Sequence, residues 1–161
     1  MIYLKDKQEY MLKIIRDFIK AAELAGIQIS NSQISIRELG CPHKPNSLPK
    51  NKMGIYIFCF DKKYLKIGKA GPKSGARFLS QHYSSYSSKS NLAKSILNDS
   101  EMNVYKANSE NIGDWIKNNI TRTDILIDES LGVFTLNYLE SFLHCKLNPK
   151  YEGFGGQIKK S

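Results

Sequence analysis

The 161-residue chain holds only three cysteines, Cys41, Cys59 and Cys145, widely spaced and odd in number. No Cys-x-x-Cys pair occurs, so neither a disulfide framework nor a zinc ribbon is indicated. Cys41-Pro42-His43 offers two ligand types without a second pair, which is too little for a zinc site. No apolar run approaches the roughly 18 residues of a membrane span. Residues 1–11 bring charges at once and lack the apolar segment of a secretory signal, so a cytoplasmic location is expected. No internal repeat is apparent, and no zinc finger or helix-turn-helix is appended. Acidic residues are scarce as well, 15 against 24 lysines and arginines, leaving a net charge of +9.

What remains is an ordinary globular composition, 41% hydrophobic and 24% charged, in a length that suits one domain with its own core. The positive charge is uneven. Between positions 41 and 77 stand Lys44, Lys50, Lys52, Lys62, Lys63, Lys66, Lys69, Lys73 and Arg77 against Asp61 alone, a local balance of +8. Such a cluster is either a solvated face or a surface that neutralises phosphates.

Apolar periodicity predicts a helix over 6–26, capped by Asp6 and stopped by Gly26, with Met11, Ile14, Ile15, Phe18, Ile19, Ala22 and Ala25 on its inner side. A short alternating strand is expected at 33–37, then a loop over 41–50 broken by Pro42, Pro45 and Pro49. After a hairpin at about 54–60 and 64–68 come a turn at 71–75 and a helix start at 76–81 carrying Arg77. A serine-rich loop over 84–90 precedes a short helix at 91–97. Two short elements follow, near 102–107 and 112–120, then a strand at 123–127. A closing helix over 134–147 has Phe134, Tyr138, Leu139, Phe142, Leu143 and Leu147 on its apolar side.

The hairpin reads Gly54-Ile55-Tyr56-Ile57-Phe58-Cys59-Phe60, Asp61-Lys62-Lys63, Tyr64-Leu65-Lys66-Ile67-Gly68-Lys69. A three-residue loop would set Phe60 against Tyr64 and Tyr56 against Gly68. Side chains alternate along a strand, so Tyr56 and Lys66 would then share a face. A two-residue loop would send them to opposite faces.

Gly54-Ile55-Tyr56, then Lys66-Ile67-Gly68-Lys69-Ala70, then Arg77, Glu140 and the tail Asn148-Pro149-Lys150-Tyr151 together resemble the GIY-YIG nuclease superfamily. The order and spacing cover about residues 53–153, and the segment from Lys66 to Tyr83 is most similar to members that act as type II restriction endonucleases. Lys66 stands where the second motif usually begins with tyrosine, as in some restriction-type members. Gln81 stands four residues after the arginine, where histidine or tyrosine is frequent, and His82 and Tyr83 follow it. Glu152 replaces a frequent asparagine.

The resemblance implies an α+β fold: a small, mainly antiparallel three-stranded sheet flanked by helices. It also implies a single domain over 1–161, with an N-terminal helix and arm over 1–52, a nuclease core over 53–153 with an insertion at about 84–120, and a tail over 154–161. Catalytic roles fall to Tyr56, Lys66, Arg77, Glu140 and either His82 or Tyr83. A tyrosine with a reference pKa near 10 needs a cation nearby to act as a base, which Lys66 on the same face would supply. Arg77 would grip the scissile phosphate and Glu140 a divalent metal, Mg²⁺ with Mn²⁺ as a substitute. Gly68 would leave space for the DNA backbone, and Lys69, Lys73, Gln81, Lys89, Ser90 and Asn91 are candidate DNA contacts.

The expected activity is hydrolysis of double-stranded DNA at a short, near-palindromic site by a homodimer, with a cognate DNA methyltransferase as a candidate partner in the host. A structure-specific repair or mobile-element nuclease and a non-catalytic basic nucleic-acid-binding module on the same fold are the alternatives.

Overall fold

The structure, a computed structural model, describes residues 2–87 and 91–151, the first five of them by backbone alone. Helix α1 (Ile2–Leu24) leads into strand β1 (Ile34–Gly40). Strands β2 (Lys52–Phe60) and β3 (Lys63–Ala70) form the hairpin. The short helices α2 (Gly75–Leu79), α3 (Leu92–Leu97) and α4 (Ile112–Asn119) follow, with 3-10 turns at Gln81–Tyr83 and Ser100–Tyr105. Strand β4 (Thr121–Asp128) and helix α5 (Gly132–Leu147) come next. Lys89, Ser90 and Glu152 lie outside the described residues.

The sheet is antiparallel throughout, in the order β1-β4-β2-β3. It has four strands where three were expected. The fourth is the 33–37 segment, which pairs Ile34 with Ile127 and Arg37 with Asp124 across some ninety residues of chain. Local alternation marks a strand but does not name so distant a partner.

Two cores back the sheet. Met53, Ile55, Ile57, Ile67, Ile125 and Ile127 point to one face and meet α1 and α5. Phe18 of α1 anchors that layer, its ring 5.5 Å from those of both Tyr138 and Phe142. The opposite face carries Tyr56, Phe58, Ala70 and Leu126 and is covered by Phe78, Leu92, Ile96, Ile112 and Ile116 from the short helices. The insertion therefore builds a second core layer.

Three helix expectations need correction. The first helix begins at Ile2, which places Asp6 inside it rather than at its cap, and Ala25 is exposed beyond its end. Phe134 is 88% exposed, because Thr135, Leu136, Leu139 and Leu143 take the buried positions of α5.

The hairpin turn is also shorter than three residues. Phe60 pairs with Lys63, and Asp61 and Lys62 make a two-residue turn with φ of 46° and 64°. Both left-handed residues match the turn type whose twist suits a two-residue hairpin. That turn alone would flip the parity, but a bulge restores it. Cys59 faces Tyr64 while Phe58 faces Lys66, so Leu65 is the extra residue and Tyr56 lies opposite Gly68.

Candidate active site

The register sets Gly68 and Asp124 on either side of Tyr56, and Lys66 and Arg122 on either side of Phe58. All six residues therefore share the face covered by the short helices. Tyr56 and Lys66 come to one face, by a bulge instead of an odd turn.

Tyr56 is wholly buried, and its ring crosses the edge strand directly over Gly68. A Cβ at position 68 would lie 2.2 Å from the Tyr56 hydroxyl oxygen and 2.5 Å from Cζ. The space at Gly68 is thus filled by Tyr56 itself, not left open for a DNA backbone. Glycine is required because any side chain would displace the phenol.

Helix α2 brings Arg77 to this hydroxyl, donating from Nε over 3.1 Å. Arg77 is otherwise exposed, so it links the buried phenol to the protein surface. The His82 ring lies 4.4 Å from the Tyr56 ring. His82 Nδ1 accepts the Leu92 backbone N–H at 3.4 Å, which leaves the proton of the neutral imidazole on Nε2. That Nε2 is buried with no hydrogen-bond partner among the described residues. Burial pushes the His82 pKa down to about 3, and the positive charges of Lys66, Arg77 and Arg122 push the same way. His82 is therefore a neutral donor at any ordinary pH.

Tyr83 goes elsewhere. Its hydroxyl is 2.8 Å from His43 Nε2 and accepts from Arg122 Nη1 at 2.9 Å, and burial raises its pKa. Of the two neighbours, His82 lies against Tyr56.

Glu140 reaches the same sheet edge from the other side. It is half-buried on α5 and pairs with Lys69, the residue after Gly68 on β3. Lys69, expected at DNA, is spent on this carboxylate. Lys73 is exposed in the turn after β3 and Gln81 is half-buried before His82. Asn91 is wholly buried and caps α3, accepting from the Lys94 backbone at 2.8 Å and donating to the Ser84 carbonyl at 2.8 Å. It holds the insertion together rather than facing a ligand. The Asn148–Tyr151 tail closes the same edge: the Lys150 and Tyr151 backbone amides donate to the Tyr64 and Leu65 carbonyls at the bulge, 2.9 Å each.

No three His, Cys, Asp or Glu side chains gather into a metal cage among the described residues. A single partly exposed carboxylate nevertheless suits Mg²⁺, which keeps most of its waters and takes few protein ligands beside substrate phosphate.

Behind the site runs a buried network that the sequence reading missed. Arg122 is 0% exposed and donates to Asp124 (2.7 Å), to Tyr83 and to the Phe78 carbonyl (2.8 Å). Asp124, equally buried, also accepts from Arg37 at 2.9 Å. The signal was present in Thr-Arg-Thr-Asp-Ile-Leu-Ile-Asp, where Arg122 and Asp124 alternate in phase with buried Leu126.

The histidines give the fold a pH dependence. His82 and, less strongly, His43 have lowered pKa values, both chiefly through burial. Below pH 6.5 the unfolded chain binds protons that the folded chain refuses, so stability present above pH 6.5 is lost as pH falls toward 3. His82 alone implies a loss of about 2 kcal/mol between pH 7.5 and 5.0. Urea midpoints at the two pH values measure it. His82→Gln should remove most of the slope, and equal wild-type midpoints would contradict the assignment.

Comparison with family models, with curated proteins and with solved structures returned no match for this chain. No helix among the described residues is long and apolar enough to cross a membrane.

Proposed function

We propose that this protein is a Mg²⁺-dependent endonuclease of the GIY-YIG type that hydrolyses phosphodiester bonds in double-stranded DNA, as a sequence-specific restriction enzyme acting as a homodimer. The observation that carries this reading is the buried Tyr56 hydroxyl, seated over Gly68 and held by the exposed Arg77. The contact joins a buried phenol oxygen to a surface cation that can also meet a phosphate.

Tyr56 takes a proton from the attacking water. Arg77 donates its Nε–H to the phenol oxygen, and Lys66 lies on the same face of the sheet. Arg77 extends outward and offers the rest of its fork to the phosphate as charge builds. His82, fixed in its neutral Nε2–H form, supplies a further donor without competing as a base. Glu140 would hold Mg²⁺, whose charge stabilises the phosphate and the departing 3′ oxygen. Lys69 pairs with that carboxylate, so a metal held by Glu140 would have to displace it.

Digestion of a mixed duplex substrate with Mg²⁺, followed by sequencing of the new ends, tests the proposal. Discrete ends at one short, near-palindromic site are expected. Uncut DNA across diverse duplexes would overturn the reading, and cuts only at branches or flaps would overturn its restriction part.

A further inference from the structure

We propose that Arg122 is a positioning residue: its buried guanidinium clamps the segment Gly75–Tyr83 to the sheet and so sets Arg77 and His82 on Tyr56. This rests on the nuclease reading for its consequence in catalysis, but not for the clamp itself.

Helix α2 has five residues and no side-chain cap, and a helix of that length has almost no stability of its own. Something outside it must fix where it sits. Arg122 holds the segment at two points. Its Nη2 donates to the Phe78 carbonyl, one residue from Arg77, and its Nη1 donates to the Tyr83 hydroxyl, one residue from His82. The guanidinium also lies 4.8 Å from the centre of the Phe78 ring. Asp124 fixes the third side of the fork through Nε, and Arg37 holds Asp124 from β1. The planar fork is what allows one side chain to satisfy three acceptors on three elements, and lysine has no equivalent geometry.

The chain of donors continues without conflict. Arg122 donates to Tyr83, which is then free to donate its own proton to His43 Nε2, and His43 Nδ1 lies 2.7 Å from the Ile120 carbonyl. The 3-10 turn bearing His82 is thereby tied to the strand at Arg122 and to Ile120, the residue before β4. The β1 strand contributes to the site indirectly, as the support of Asp124.

The test uses full-length Arg122→Lys, with two readings. The first is the nuclear Overhauser contact between the His82 and Tyr56 rings in protein alone, alongside amide protection on the α1 and α5 face. The second is the split between kcat and KM on cleaved duplex. The clamp predicts that the ring contact disappears while α1 and α5 stay protected. It also predicts that kcat falls ~100-fold with KM within a few-fold, as for a small misplacement of catalytic groups. A folded variant that keeps the ring contact overturns the proposal, as does a loss expressed in KM alone. Should Arg122→Lys not fold, Tyr83→Phe removes one bond of the clamp and leaves the buried ion pair. It should weaken the ring contact and lower kcat roughly 5-fold, and an unchanged contact and kcat overturn the clamp. If the wild type cuts no DNA, the nuclease reading falls separately, and the ring contact still decides the clamp.

Discussion

Arg77→Ala is expected to lower DNA cleavage about 10³-fold while leaving the fold intact. Arg77 is exposed, but its Nε–H is a partner of the buried Tyr56 hydroxyl, so its removal should cost about 1 kcal/mol, short of unfolding the domain. Cleavage is different, because one guanidinium serves two ends. Its Nε–H bonds the Tyr56 oxygen at 3.1 Å, while the remaining donors would meet the phosphate. Losing both roles should cost more than a single oxyanion donor. Binding should fall only a few-fold, with the salt slope reduced by about one contact, since the local balance of +8 survives nearly whole. Single-turnover cleavage and a salt titration of binding measure the two. Equal losses in binding and cleavage would make Arg77 an ordinary phosphate contact.

Gly68→Ala should have a comparable effect by steric means. The new methyl would sit 2.2 Å from the Tyr56 oxygen, 2.5 Å from Cζ and 2.6 Å from Cε2, so the whole ring must move. Overpacking of this kind costs about 1–3 kcal/mol. The phenol leaves Arg77 and His82, so cleavage should fall about as far as in a variant without the hydroxyl. Tyr56→Phe does not relieve the clash, because Cζ and Cε2 remain. Tyr56→Leu does. The double variant Gly68→Ala/Tyr56→Leu should therefore lose less stability than the sum of the single losses, without recovery of cleavage. Strict additivity in stability would mean that the ring and the glycine do not meet.

The parts of the fold that follow from local pattern were legible. Alternation placed the hairpin and β4, and the 3.6-residue period placed α1 and α5, because each element announces its own buried face. Pairing of β1 with β4 was not, since it joins segments some ninety residues apart. The face shared by Tyr56 and Lys66 depended on a turn and a bulge acting together. Asp61-Lys62 lacks the Asn-Gly pattern that marks a two-residue turn, and nothing local signals that Leu65 is an extra residue. Arg122 and Asp124 were overlooked because charged residues in a strand are read as exposed. Their burial makes sense only once Tyr83, Phe78 and Arg37 are seen to satisfy them.

The same logic separates the two candidates after Arg77. His82 and Tyr83 are adjacent, so a one-residue difference in a 3-10 turn decides which ring meets Tyr56. His82 takes that place, and Tyr83 joins the network under it. A histidine held neutral at a pKa of about 3 also means that the His82 imidazole does not titrate near neutrality.

The most direct measurement is Mg²⁺-dependent cleavage of duplex DNA by the wild type beside Tyr56→Phe, with both proteins shown to share the same fold. A wild type that cuts, and a Tyr56→Phe variant that binds the duplex but cuts at least ~10²-fold more slowly, is the predicted result. A Tyr56→Phe variant that cuts as fast as the wild type would contradict the account at its centre.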